Sequence, residues 1–168
     1  MDNKMYFKRK IYDKLVEWKK NSDGKTALLI EGARRIGKST IVELFAKNEY
    51  ENYLIIDFNI APNEIKDLFI NERSDIDLIL QKLQSFYGKV LPVRKSLIIF
   101  DEVQFCPEAR SMIKYLVADG RYDYLETGSL ISIKKNVENI LIPSEERKIN
   151  MYPLDFEEFL WTLNDNAT

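Results

Sequence analysis

Residues 27–47 read ALLIEGARRIGKSTIVELFAK, and this stretch decides the fold. Ala27–Glu31 is a short, nearly continuous apolar run, the pattern of a strand buried on both faces. Gly32-Ala33-Arg34-Arg35-Ile36-Gly37-Lys38-Ser39 follows and fits G-x-x-x-x-G-K-[ST], and from Ser39 to Lys47 the spacing turns helical. Strand, glycine-rich loop and helix in that order build a phosphate cradle. Such a loop must aim several backbone N–H groups at phosphate oxygens, and glycine lets the backbone approach closely with the necessary dihedral angles. The helix behind it turns its N-terminal dipole towards the anion. On this reading Gly32 through Thr40 contact a nucleotide, Lys38 reaches its β- and γ-phosphates, and the Ser39 hydroxyl is a magnesium ligand.

Outward from this unit, apolar runs at 53–58 (YLIIDF) and 96–100 (SLIIF) read as buried strands, with a less apolar strand at 122–126 and a fifth at 148–152. Helical spacing falls between them. Residues 5–20 carry Ile11, Leu15 and Trp18 on one face, and Asn21-Ser22-Asp23-Gly24 ends that helix. A short helix is expected near 64–70. Residues 75–87 place Ile76, Ile79, Leu80, Leu83 and Phe86 together, with Asp75 as N-cap. Pro107 opens a helix that runs to about Ala118 and stops at Asp119-Gly120. Residues 132–147 are polar and irregular, and a mobile loop is expected there. The last helix has a capping box, Asp155 with Glu158, and a hydrophobic staple of Leu154 against Phe159. Alternating strands and helices predict a parallel sheet covered on both faces.

A second chemical signal stands at 97–102, LIIFDE. Acids at the carboxyl end of a parallel strand face the crevice where open α/β sheets bind ligands. Asp101 there would hold magnesium through water, and Glu102 would polarise the attacking water as general base. P-loop proteins with glutamate beside the magnesium aspartate hydrolyse nucleotide and insert a strand between the two motif strands. The expected fold is therefore a P-loop NTPase, a three-layer α/β/α sandwich with a five-stranded, mainly parallel sheet in the order 5-1-4-3-2. Thr127 and Ser129 then lie at the end of the inserted strand, facing the γ-phosphate. Thr127 is the choice for a phosphate sensor; an ordinary polar turn is the alternative.

Bulk properties narrow the classes. The chain has 168 residues, 45% of them hydrophobic and 31% charged, which fits one globular domain. Cys106 is the one cysteine and there is no histidine, which excludes a disulfide framework, a Cys/His zinc site and imidazole catalysis. A net charge of −2 provides no global field for nucleic acid. The N-terminus is charged rather than apolar, and the apolar runs are strand-sized, so neither a signal peptide nor a membrane span is expected. The expected location is the cytoplasm.

GARRIGKST, LIIFDEVQ, the TGS tripeptide at 127–129 and MYPLDFEEFLW together resemble the uncharacterised bacterial and archaeal AAA-type ATPases, from the N-terminal helix to Trp161. In those proteins this domain usually precedes a C-terminal domain of unknown function. The resemblance implies a single AAA-type core over 1–168, ATP and Mg2+ as ligands, and Gln104 near the active site. No N-K-x-D guanine-reading motif opposes ATP. Against that family pattern, a C-terminal helical lid, with any second sensor arginine, is expected to be missing from this stretch. In this class an arginine, often from a neighbouring subunit, neutralises the transferring phosphoryl group. Arg147, in the loop before the last strand, is the best placed by sequence, ahead of Arg110 and Arg121, and a trans-acting arginine would require a homo-oligomer. Arg34 and Arg35, in the variable part of the loop, face solvent or a partner. Three readings stay open: an ATPase that drives a change in an attached or partner domain, a nucleotide-binding switch or scaffold with negligible turnover, and a small-molecule kinase, for which an acid or lid specific to a second substrate is not evident.

Overall fold

Among the described residues, three strands are buried along their whole length: β1 (Ala27–Glu31), β3 (Ser96–Asp101) and β4 (Asp123–Gly128). Two others, β2 (Asn52–Asp57) and β5 (Glu146–Asn150), are only partly covered. The sheet order explains the difference. A computed structural model, which describes residues 10–33, 36–129, 146–153 and 155–166, arranges the five strands as β2-β3-β4-β1-β5. Every neighbouring pair is parallel. This is the expected order read from the other edge, with β4 inserted between the two motif strands, so the fold is the three-layer P-loop α/β architecture. Central strands meet helices on both faces and must be apolar, whereas edge strands need not be.

Helices α1 (Lys10–Ser22) and α2 (Lys38–Glu49) cover one face. Phe45 is fully buried there and packs against Tyr12, Trp18 and Tyr50, with ring centroids 6.2, 6.4 and 5.7 Å away. Helices α3 (Asn63–Asn71), α4 (Ile76–Tyr87), α5 (Pro107–Ser111) and α6 (Ile113–Asp119) contribute to the core on the other face. Phe58, Phe69 and Phe100 form an edge-to-face triangle at its centre, with separations of 5.8, 5.4 and 5.4 Å. Burying each such ring contributes about 1.5–3 kcal/mol, so these two clusters fasten the helical layers to the sheet.

Local signals set several boundaries. The Asp75 carboxylate accepts the Leu78 N–H at 3.0 Å, capping α4. Asp155 and Glu158 cap α7 (Phe156–Asn166) reciprocally: the Glu158 N–H reaches Asp155 Oδ1 at 2.8 Å and the Asp155 N–H reaches Glu158 Oε1 at 3.1 Å. Leu154 of the expected staple lies outside the described residues.

Four expectations need correction. The helix after Pro107 continues to Asp119 but is interrupted at Met112, whose N–H is shared between Glu108 O and Ala109 O at 3.2 and 3.1 Å. Phe86 leaves the apolar face of α4; it is 47% exposed in the last turn, where it packs edge-on to Tyr87. The fourth strand starts and ends later than its apolar residues suggest, reaching Gly128 because its polar end still pairs with β1. The fifth begins at Glu146, so Arg147 belongs to a strand, paired with Leu28, and not to the preceding loop. The rest of that expected loop, 132–145, lies outside the described residues.

Candidate functional site

The glycine-rich loop joins the C-terminal end of β1 to the first turn of α2. Gly37 caps α2 at φ 94°, ψ 18°, a left-handed conformation in which a side chain would be strained. At Gly32 the constraint is space: an added Cβ would lie 2.6 Å from the Met151 carbonyl oxygen. Met151 cannot easily retreat, because its N–H is bonded to Glu31 O at 2.7 Å. Arg34 and Arg35 lie outside the described residues. Ala33 and Thr40 are exposed, and Ile36 and Gly37 are half-buried. Lys38 is 4% exposed and bends over the loop, donating from Nζ to Gly32 O at 2.9 Å and to Ala33 O at 2.7 Å.

One helical turn holds Ser39 against the neighbouring motif. Its hydroxyl lies 3.1 and 3.0 Å from the two carboxylate oxygens of Asp101, the last residue of β3. The Thr127 hydroxyl, on the adjoining β4, also donates to Asp101 Oδ1 and accepts the Glu102 N–H at 3.0 Å. Ser39 and Thr127 thus converge from α2 and β4 on the Asp101 carboxylate at the end of β3. Burial pushes the Asp101 carboxyl above its ordinary range, the two hydroxyl donors oppose that shift, and the nearby Asp57 and Glu102 add to it. Asp57 ends β2 in register with Asp101. A carboxylate and a hydroxyl, both hard oxygen donors, beside a lysine-bearing anion cradle fit a hydrated magnesium ion and the phosphates it accompanies.

Glu102 follows immediately, with its backbone in the left-handed region at φ 54°, ψ 51°. Gln104 lies two residues on, in the 3-10 turn Val103–Phe105, and its Nε2 donates to Glu102 Oε2 at 2.5 Å. Ser129 is buried just past the end of β4.

The arginines are dispersed. Arg121 pairs with Asp119 and Asp77 beside the start of β4, at the opposite end of the sheet from Asp101. Arg147 is exposed on β5, three residues before the strand end, which is about 10 Å along the chain. Arg110 is buried and grips Glu146 with two hydrogen bonds, Nε to Oε2 at 3.1 Å and Nη2 to Oε1 at 2.7 Å.

Two features escaped the sequence reading. The first is a buried carboxyl pair behind the site. Glu126, one residue before Thr127, is 0% exposed, and neither of its oxygens meets a donor among the described residues. Burial, reinforced by the neighbouring Glu146 charge, holds its carboxyl well above the ordinary range. Burial alone would raise Glu146 too, but the neighbouring Glu126 carboxyl and the two hydrogen bonds from Arg110 hold it below the usual range. The mildly polar stretch DYLETG was the available signal. The second is a cavity of about 340 Å³ between the start of α1, the chain leaving β5 and the start of α7, lined by Ile11, Met151, Tyr152 and Pro153 among others. Met151 is shared between this cavity and Gly32. No periodicity marks it, because three distant segments form it.

Residues 24–160 match a family model described as an AAA domain. No curated protein matches the chain. Among the described residues, no helix is long and apolar enough to cross a membrane.

Proposed function

The chain belongs to the AAA domain family, and from that premise we propose that it binds Mg-ATP at the Gly32–Ser39 loop and hydrolyses it. The observation that carries this reading is the convergence of the Ser39 and Thr127 hydroxyls on Asp101, beside the Lys38-bearing loop. Lys38 exchanges its two loop carbonyls for the β- and γ-phosphates, supported by the N-terminus of the 12-residue α2. Ser39 and Asp101 would hold a magnesium ion, which would supply neutralisation of the charge developing on the phosphates. Glu102 orients the attacking water and takes its proton. Thr127 bridges Asp101 and the Glu102 backbone, so a shift at the ion-holding carboxylate reaches both the base and β4. The cavity shared through Met151 accepts the adenine ring, with Ile11 and Pro153 as apolar walls. An arginine that neutralises the transferring group would come from a neighbouring copy, with Arg147 on the outer strand as candidate.

Two variants test the reading. ATP binding and steady-state hydrolysis are measured for the wild type, Lys38→Ala and Glu102→Gln. Lys38→Ala is expected to lose binding, while Glu102→Gln binds ATP and loses turnover. Equal, background-level hydrolysis in the wild type and Glu102→Gln, with binding intact, would leave a nucleotide-binding switch and sink the enzymatic claim.

A further inference from the structure

We propose that Gln104 is a positioning residue that fixes the Glu102 carboxylate in the site, an assignment that rests on Glu102 being the general base. Three observations converge on it. Gln104 is 7% exposed in a turn whose neighbours Val103 and Cys106 are 0% and 1% exposed, so its amide is held by packing. That amide donates to Glu102 Oε2 at 2.5 Å. Glu102 itself is half-buried and directly follows Asp101 at the strand ends, where Asp57 is in register with Asp101.

The choice of donor has a chemical logic. A lysine or arginine at this place would pair with Glu102 and compete with the proton the base must accept. A carboxamide has no ionisable proton, so it orients the carboxylate and leaves its charge available. The backbone of Glu102 is tethered as well, through its N–H on Thr127 Oγ1 at 3.0 Å. Its left-handed conformation is costly for a residue with a side chain and persists when its surroundings over-determine it. Gln104 and Thr127 therefore hold Glu102 at both ends, and a misplaced base is slow even when nucleotide binds normally.

The test uses Gln104→Met, which preserves length and apolar packing but removes the donor, with Gln104→Glu as a second variant that keeps the shape and replaces the donor with an acceptor. ATP affinity and single-turnover hydrolysis of Mg-ATP are measured for both, alone and combined with Glu102→Gln. Each is expected to lower the hydrolysis rate roughly 10- to 100-fold while ATP affinity stays within about twofold. In the Glu102→Gln background neither should slow the residual rate further, because Gln104 acts through Glu102. A wild-type rate in both variants, or the same fractional loss with and without Glu102, overturns the assignment. Wild-type hydrolysis that ignores Glu102→Gln removes the general-base reading and this inference with it. Dependence on Glu102 together with indifference to Gln104 removes this inference alone.

Discussion

Arg110→Ala should be one of the most damaging single substitutions outside the phosphate loop, and its cost can be reasoned from the pair it breaks. The Arg110 and Glu146 side chains are 7% and 2% exposed and joined by two charge-assisted hydrogen bonds. Truncation would leave the Glu146 carboxylate buried beside Glu126, itself 0% exposed. Breaking a buried pair from one side costs about 3–5 kcal/mol, a large part of the roughly 5–15 kcal/mol that stabilises a typical domain. At about 2–4 °C per kcal/mol for a chain of this size, the midpoint should fall by roughly 6–20 °C. The loss also has a pH signature. In the wild type Glu146 is held below its ordinary value of 4.5, so its contribution is present above that pH and is lost as acid protonates it. Without the guanidinium, burial raises Glu146 instead, and stability then declines as pH rises past 4.5. The deficit relative to wild type should therefore widen from pH 5 to pH 8. Urea unfolding at both pH values measures it, and Arg110→Met with Glu146→Met should recover most of the loss by removing both charges together. A deficit below about 1 kcal/mol, the range of an exposed ion pair, that is the same at both pH values would refute the reasoning.

Two other predictions follow from neighbouring features. Glu126→Gln should be close to neutral for stability at pH 5 and stabilising at pH 8: the wild-type carboxyl, raised by burial, contributes less as pH climbs from its unfolded value of 4.5 towards its folded one, and the amide escapes that loss. Unfolding midpoints equally spaced at both pH values would contradict it. Gly32→Ala forces a Cβ to within 2.6 Å of a backbone carbonyl, so it should lower ATP affinity at least about tenfold and stability by roughly 1–3 kcal/mol; calorimetric titration and thermal unfolding read both, and unchanged affinity would show that the loop accommodates the methyl group.

The parts of this molecule that were legible in the sequence are those whose determinants are close together along the chain. The strand, loop and helix around Lys38 occupy 21 residues with a pattern dictated by phosphate geometry. The capping box of α7 needs only Asp155 and Glu158. The strand order followed from Glu102 standing next to Asp101. What stayed hidden is made between elements. Arg110 meets Glu146 across 36 residues, and nothing near either predicts the other. Glu126 reads as an ordinary polar residue at a strand end until its strand is placed in the middle of the sheet. Arg147 looked like loop because an edge strand has one neighbour and little need of apolar side chains. Phe86 obeyed the helical period of α4 but lies in the last turn, exposed beside Tyr87.

The strand order also decides how this protein resists sticking to itself. An open sheet exposes two lines of backbone donors and acceptors, each a template for another chain. Among the described residues the outer strand on one side is β5, ERKIN, five residues long with a single apolar side chain, and pairing there would crowd lysine and arginine against a like neighbour. On the other side β2, NYLIID, is rich in the residues that aggregate, and its protection is local: the Asn52 side chain binds Val90 O at 2.7 Å, and Lys89 rests on the Tyr53 ring at 5.0 Å. Charge guards one rim and a folded-back segment guards the other. Conditions that loosen residues 88–95 would uncover a sticky border while the rest of the domain remains intact.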